Sequence, residues 1–165
     1  MISHTHKCIF VHIPKTGGTS VESVLRKDKS KGSDHHLLLN YSKKKEFNHY
    51  FKFTVVRNTY ERVWSLYNYY ASGGNQQKLK TLTDYFHHYY LKMFSPPYYT
   101  DLEISEKMPK RFEEFCDVYL KKRKPFFRKN ALCSQLEYIS VNGNVQVDFI
   151  ARFENLNEDF LKVAS

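Results

Sequence analysis

The first apolar run of the chain is followed by a polar loop and then by an amphipathic segment. Residues 7–13 combine β-branched and aromatic side chains and end at Pro14, which predicts a central strand. Two glycines follow, and the next apolar positions have the three- and four-residue spacing of a helix: Val21, Val24 and Leu25. This stretch therefore predicts a strand, a glycine loop and the start of a helix.

A second strand and helix follow in the same order. Residues 51–56 predict the strand, and Thr59 is expected to cap a helix that stops at Gly73 and Gly74. The apolar face of that helix would consist of Val63, Leu66, Tyr67 and Tyr70. Two successive strand-to-helix units predict an α/β protein with a P-loop-like three-layer fold, in which helices flank a central parallel sheet.

The rest of the chain predicts shorter elements. A buried strand is expected at 35–39, followed by a helix that Ser42 caps and that ends at Tyr50. Residues 81–124 should be mostly helical, with a break at 95–97 and an amphipathic part at 111–120. A hairpin over 138–147 should turn at Asn142 and Gly143, before a strand at 149–153 and a final helix at 156–164 that Asn155 caps.

Length and composition restrict the class of protein. A chain of 165 residues fits one packed domain, so residues 1–165 are expected to form a single unit. No apolar run approaches the roughly 20 residues that cross a bilayer, and no apolar signal region opens the chain. The expected location is the cytoplasm if the chain is complete, or the Golgi lumen if it is a fragment of a membrane-anchored form. Three cysteines argue against a disulfide framework, although Cys116 and Cys133 could pair in an oxidising compartment.

The net positive charge of the chain is concentrated in its first 135 residues. The chain has 26 Lys and Arg against 17 Asp and Glu, a net charge of +9. Residues 1–135 contain 24 of these basic side chains and 12 of the acidic ones. Such a field favours anionic partners such as phosphates, nucleic acid, acidic lipid or sulfated glycans.

The loop after the first strand carries the most specific chemistry. Residues 15–20, Lys-Thr-Gly-Gly-Thr-Ser, lie between a predicted strand and a predicted helix, where backbone N–H groups and the helix N-terminus attract an anion. In an ATP or GTP P-loop the lysine follows the last glycine, whereas Lys15 precedes both glycines. The loop therefore predicts phosphate binding without magnesium chemistry. The alternative is that the glycines serve packing alone.

Three segments, in this order, resemble the sulfotransferases that use 3′-phosphoadenosine 5′-phosphosulfate (PAPS). Residues 12–20 are similar to their 5′-phosphosulfate loop, in the branch that includes heparan sulfate 2-O- and chondroitin or dermatan carbohydrate sulfotransferases. Residues 53–67 resemble the 3′-phosphate segment, with Thr59 where the family usually has Pro, and residues 148–160 resemble the segment that closes the nucleotide site. Because family domains usually continue further, the resemblance implies truncation at the C-terminus.

The resemblance also implies an activity and its residues. The chain would be a sulfotransferase that moves a sulfuryl group from PAPS to a hydroxyl without a metal and releases 3′-phosphoadenosine 5′-phosphate; the expected acceptor is a carbohydrate. Lys15 would stabilise the departing 5′-phosphate, and Arg57 and Ser65 would clasp the 3′-phosphate. The 5′-phosphate would also be bound by backbone and hydroxyl donors of Thr16, Gly17, Gly18, Thr19 and Ser20.

A general base must accept the proton of the acceptor hydroxyl. Histidine suits this role near neutral pH. Relatives often carry a histidine between the two phosphate segments, so His35 and His36 are the candidates, with His36 slightly favoured. His12 lies on the first predicted strand and is expected to pack there.

Other functions remain open. A catalytically impaired or truncated relative would bind the nucleotide without turnover. A P-loop nucleotide kinase would need magnesium and ATP, against which the position of Lys15 argues. A noncatalytic anion-binding module would explain the charge, but the chain carries no nucleic-acid motif, so nucleic acid is not an expected partner.

Overall fold

The structure, a computed structural model, describes residues 1–26, 35–72, 109–117 and 133–164. The chain divides into two compact units, one formed by Met1–Arg62 with Cys133–Ser165 and the other by Val63–Leu132. The predicted helix stop at residues 73 and 74 and most of the helical stretch predicted over 81–124 lie outside the described residues. The single-domain organisation of residues 1–165 stays a prediction.

The described strands and helices are short. The strands are β1 (Ile2–Ser3), β2 (Cys8–Val11), β3 (Phe51–Val56), β4 (Ser140–Val141), β5 (Asn144–Val145) and β6 (Phe149–Arg152). The helices are α1 (Gly18–Leu25), α2 (Thr59–Ala71), α3 (Phe112–Phe115), α4 (Gln135–Ile139) and α5 (Leu156–Ala164), with 3₁₀ turns at Leu38–Asn40, Lys45–Asn48 and Phe153–Asn155.

A mostly parallel sheet forms the centre of the first unit, which confirms the predicted α/β class. Its order is β1-β2-β3-β6. β1 is antiparallel to β2, whereas β2, β3 and β6 run parallel, with Phe10 opposite Phe53 and Phe53 opposite Phe149. Because parallel strands end at the same edge of a sheet, the residues after β2, β3 and β6 are brought together there.

Both faces of the sheet are covered by apolar side chains. Ile9 and Val11 pack with Tyr138 and Ile139 of α4 on one face. On the other face, a cluster forms between the sheet, α1 and α5 and contains Phe10, Phe53, Val55, Val21 and the partly buried Phe153, Leu156 and Phe160. All four residues of β2 are buried, as is typical of a central parallel strand.

In the second unit, aromatic rings pack the end of α2 against α3. Tyr67 lies 5.4 Å from Phe112 and 5.5 Å from Phe115 between ring centroids, and its hydroxyl donates to the Lys110 carbonyl at 2.6 Å. Leu66, Tyr67 and Tyr70 are buried, which confirms three of the four predicted apolar positions, while Val63 is half-buried.

Several predicted elements are confirmed. β3 covers the predicted residues 51–56, α5 covers residues 156–164, and β6 ends one residue before the predicted end at 153. The predicted hairpin turn also forms. Asn142 and Gly143 both have positive φ, 53° and 82°, as a two-residue turn between antiparallel strands requires.

Other predictions are wrong at the level of single elements. Residues 35–39 form no strand. Leu38 is buried in a 3₁₀ turn and Leu37 is partly buried, because both pack on the cluster that contains Ile9 and Val11, while Leu39 is exposed. The Ser42 hydroxyl donates to the Leu39 carbonyl at 2.8 Å and caps no helix, and Lys45–Asn48 is again 3₁₀.

Two boundaries differ because side chains cap helices at unexpected positions. Asn58, not Thr59, caps α2, since its Oδ1 accepts from the N–H of Tyr60 at 3.0 Å. Tyr138 and Ile139 belong to α4 and not to the hairpin. A reciprocal capping box between Ser134 and Glu137 starts that helix.

The inner face of α1 also differs from the prediction. Val21 is buried as expected, but Val24 is 63% exposed, whereas Glu22 is buried. The reason is that Glu22 reaches the buried ring of His12, and that contact brings a polar side chain to the inner face. The three cysteines are free thiols.

Candidate active site

Three loops of the first unit meet at one edge of the sheet. They follow β2 (residues 12–17), β3 (residues 57–58) and β6 (residues 153–155). In open α/β sheets, ligands bind outside the carboxyl ends of the strands. Four predicted site residues lie in these loops, namely Lys15, Thr16, Gly17 and Arg57, and three more open α1 directly after the first loop, namely Gly18, Thr19 and Ser20. This edge is therefore the candidate site.

The glycine loop ends in a helix N-terminus that no side chain caps. Gly17 is the N-cap of α1 with φ 80°, and the first turn contains no acidic residue. The first N–H groups of a helix have no acceptor within it, and the helix dipole adds positive potential there. The Thr16 hydroxyl is used within the loop, where it donates to the Ile13 carbonyl at 2.9 Å. The loop therefore offers backbone donors, with exposed Thr19 and Ser20 in the first turn.

Both glycines are also required by close packing. A Cβ on Gly17 would lie 2.8 Å from the ring of Phe153, and a Cβ on Gly18 would lie 2.1 Å from the ring of His12. A real Cβ does not approach other atoms that closely, so neither position accepts a larger residue without movement. Close packing therefore requires glycine at both positions, where the sequence also predicts a glycine loop for anion binding.

Two cationic side chains, Lys15 and Arg57, lie near each other at this edge. Lys15 has φ 68° and is half-buried. Burial, and next the positive charge of Arg57, lower the pKa of Lys15. An anion between two such cations would relieve this repulsion, so the electrostatics favour a bound phosphate or sulfate.

Arg57 is held in place from several sides. Its N–H donates to Gln135 Oε1 at 2.9 Å, and Gln135 Nε2 donates back to its carbonyl at 2.8 Å. Its Nε donates to Glu61 Oε2 at 3.3 Å, and its guanidinium carbon lies 4.3 Å from the ring centroid of Phe153. Neither Nη group hydrogen-bonds to a residue in the described ranges, so these donors can bind an anion.

Phe153 is the residue that the glycine loop and Arg57 share. Its ring edge lies against Gly17, and its face lies under the Arg57 guanidinium. Phe153 is half-buried in the 3₁₀ turn after β6 and packs on the core cluster of α1 and the sheet. One ring therefore connects the two predicted phosphate-binding elements.

The two candidate histidines differ in their surroundings. His35 Nδ1 lies 3.3 Å from the carbonyl oxygen of His12, and the two rings are 4.2 Å apart between centroids. Because a carbonyl only accepts, Nδ1 is the donor, and the neutral imidazole then has its proton-accepting lone pair on Nε2. His36 is exposed, with its ring 6.2 Å from that of Tyr41. The structure thus brings His35, and not His36, to the end of β2.

Sequence reasoning missed two buried polar residues that support the loop. Glu22 Oε1 lies 3.1 Å from His12 Nδ1, which is within ion-pair range, although Nδ1 makes no hydrogen bond. The same oxygen lies 3.4 Å from the Arg26 guanidinium. Arg62 donates to the carbonyls of Pro14 at 3.0 Å and Cys133 at 3.2 Å. The sequence signal for the burial of Arg62 was its position four residues before the buried Leu66 on α2, since residues with this spacing share a helix face.

Ser65 lies on the second turn of α2 and belongs to the second compact unit. It is half-buried. Its assignment to the 3′-phosphate stays a prediction.

Comparison with known proteins assigns the chain to a family. A protein-family model described as a sulfotransferase family matches residues 1–165. No curated protein and no solved structure matches the chain. In the described ranges, no group of three or more His, Cys, Asp or Glu side chains could hold a metal ion. Within those ranges no helix combines the length and hydropathy of a membrane span.

Proposed function

Because the chain belongs to the sulfotransferase family, we propose that its sheet edge is a P-loop-like nucleotide site that transfers a sulfuryl group from PAPS to a hydroxyl, with a carbohydrate as the acceptor class. One observation carries the proposal. The uncapped helix N-terminus at Gly17 and the Arg57 guanidinium lie against the same ring, that of Phe153, so two anion-binding elements face one small region. A nucleotide with a 5′ and a 3′ phosphate carries two anions, one for each element.

The 5′ side of the nucleotide fits the glycine loop. The first backbone N–H groups of α1 lie at a helix N-terminus that no side chain caps, after Gly17 in the αL conformation, and such a terminus attracts an anion. Lys15 would neutralise the charge that grows on the 5′-phosphate as the sulfur–oxygen bond breaks. The lowered pKa of Lys15 agrees with a side chain that is stabilised when an anion binds.

The 3′ side fits Arg57. Planar guanidinium groups bind phosphate through two parallel N–H bonds. The Gln135 contacts fix the main chain of Arg57, and Glu61 and the Phe153 ring contact its guanidinium. The Nη edge is left for the ligand.

The acceptor proton needs a base, and the geometry supports His35 over the slightly favoured His36. Donation from His35 Nδ1 to the His12 carbonyl leaves Nε2 as the proton acceptor. PAPS would supply an activated sulfuryl group. His35 Nε2 would take the hydroxyl proton while the acceptor oxygen bonds to sulfur, and the bond from sulfur to the 5′-phosphate oxygen would break.

A nucleotide panel in a thermal-shift assay tests the proposal. Adenosine 3′,5′-bisphosphate at 100 times its dissociation constant should raise the melting temperature by about 5 to 10 °C, because ligand binding stabilises the native state by about 2.7 kcal/mol. ATP with magnesium and 5′-AMP are the comparison ligands. If ATP with magnesium shifts the melting temperature and the bisphosphate does not, the sulfotransferase site is wrong and a nucleotide kinase is favoured.

A further inference from the structure

We propose that Phe153 is a positioning residue that sets the geometry between the 5′-phosphate loop and the 3′-phosphate clasp, and so determines how strongly a 3′-phosphate is recognised. The inference rests on the proposed function. It assigns a role to a side chain that lacks any polar group and need not touch the phosphates itself.

The Phe153 ring is held in position by core packing and by a hydrogen bond of the neighbouring residue. The residue follows β6 directly, in the turn Phe153–Asn155, and packs on the cluster that includes Phe10, Val21 and Phe53. The neighbouring Glu154 accepts a hydrogen bond from the N–H of Asn58 at 2.8 Å, which ties this turn to the loop after β3. The ring is therefore anchored to the sheet rather than to a free loop.

One edge of the ring determines the position of the glycine loop. The Cβ position of Gly17 lies 2.8 Å from Cε2 and 2.9 Å from Cδ2 of Phe153. The ring therefore fills the space that a side chain at Gly17, the left-handed residue before α1, would need. Movement of the ring would change the direction of the first N–H groups of the helix.

The face of the ring supports the guanidinium of Arg57. The distance of 4.3 Å from guanidinium carbon to ring centroid is within cation–π range. Contact with the ring and the Nε bond to Glu61 together restrict the movement of the guanidinium. Two such contacts hold the guanidinium in place, as two-point phosphate binding requires.

A ligand with two phosphates has a fixed distance between them, so both binding elements must be held together. Phe153 lies against both of them. Removing its aromatic face should therefore weaken the bisphosphate through Arg57, while a monophosphate that uses only the loop is little affected.

The test is a calorimetric double-mutant cycle on Phe153 and Arg57. Phe153→Leu keeps apolar volume over Gly17 but removes the aromatic face. We expect its dissociation constant for adenosine 3′,5′-bisphosphate to rise about 2- to 5-fold, the effect of one cation–π contact, with a change below about 2-fold for 5′-AMP. In the Arg57→Ala background the same substitution should have no further effect. Phe153→Tyr should restore the parental affinity.

A matched control is Phe160→Leu, which makes the same change in a residue of α5 that packs on the same cluster. It should leave the ratio of the two affinities unchanged. A ligand-free readout is the ¹⁵N–¹H resonance of Arg57 Nε, which should show a ring-current shift in the parent and in Phe153→Tyr but lose it in Phe153→Leu.

The outcomes separate the two proposals. If the parent binds the bisphosphate more tightly than 5′-AMP, but Phe153→Leu weakens both ligands equally or acts undiminished in the Arg57→Ala background, the positioning role is wrong and the proposed function stands. If the parent does not distinguish the two nucleotides, the 3′-phosphate site fails and the role of Phe153 fails with it.

Discussion

Adding one methyl group at Gly17 would test how the candidate site is built. Gly17 and Gly143 have nearly the same left-handed backbone, with φ 80° and 82°. Their surroundings differ, since a Cβ on Gly143 meets nothing within 4 Å whereas one on Gly17 lies 2.8 Å from Phe153. The pair Gly17→Ala and Gly143→Ala therefore separates backbone strain from crowding.

The expected magnitudes follow from these two contributions. A non-glycine residue in the left-handed conformation costs about 1 to 2 kcal/mol. Over-packing adds about 1 to 3 kcal/mol. Gly143→Ala should lower the free energy of unfolding by about 1 to 2 kcal/mol from strain alone, and Gly17→Ala by about 2 to 5 kcal/mol from both causes.

Urea unfolding followed by circular dichroism would measure both variants, with an unchanged m-value showing that the change is one of stability. Gly17→Ala should also weaken adenosine 3′,5′-bisphosphate, because the methyl group displaces the ring that supports Arg57. Gly143→Ala should bind like the parent. Equal destabilisation by the two variants, or unchanged binding by Gly17→Ala, would refute the contact between the loop and Phe153.

Further predictions concern the charged and titratable groups of the site. Arg57→Ala should weaken the bisphosphate by about 1.5 to 3 kcal/mol in calorimetry but leave 5′-AMP nearly unchanged, and equal losses would mean that Arg57 acts through folding. A bound phosphate raises the pKa of Lys15 from its lowered value in the free protein, so bisphosphate affinity should fall as the pH rises through that lowered pKa. Lys15→Arg should abolish this fall, and an unchanged pH profile would exclude Lys15 as the titrating group. His35→Ala should lower the sulfuryl-transfer rate by about 10² to 10⁴ and His36→Ala should not; the opposite result would make His36 the base.

Local signals explain the part of the fold that the sequence predicts well. Residues 51–56 and 156–164 are strand and helix within the predicted bounds because their apolar spacing is regular. The turn at Asn142 and Gly143 follows from the positive φ that these residue types tolerate. Such features depend on neighbours a few residues away.

The errors occur where a short segment is decided by capping or by a distant contact. Residues 35–39 have the composition of a strand, but no described strand pairs with them, and Leu37 and Leu38 instead pack on the cluster that contains Ile9 and Val11 of β2. Tyr138 and Ile139 are apolar enough for a strand, but the capping box at Ser134 and Glu137 commits them to a helix. Composition over four or five residues does not separate these cases.

In the candidate site, too, local sequence patterns predict some residues, whereas distant contacts determine how those residues are held. Motif order predicts Lys15 and Arg57 as site residues, and both follow parallel strands at one edge of the sheet. What holds Arg57 in place depends on contacts far along the chain. Gln135 is 78 residues away from it, and the ring under its guanidinium belongs to Phe153. No local pattern encodes such pairs, so the support of the site becomes visible only in the folded chain.

The most direct test of the account is transfer of labelled sulfuryl from PAPS to a panel of carbohydrate and small hydroxyl acceptors, with Lys15→Ala as the matched variant. The account predicts labelled product together with stoichiometric 3′-phosphoadenosine 5′-phosphate, without added metal, and a strong loss of rate in Lys15→Ala at saturating donor. Binding of the bisphosphate without transfer to any acceptor, or transfer that does not depend on Lys15, would contradict it.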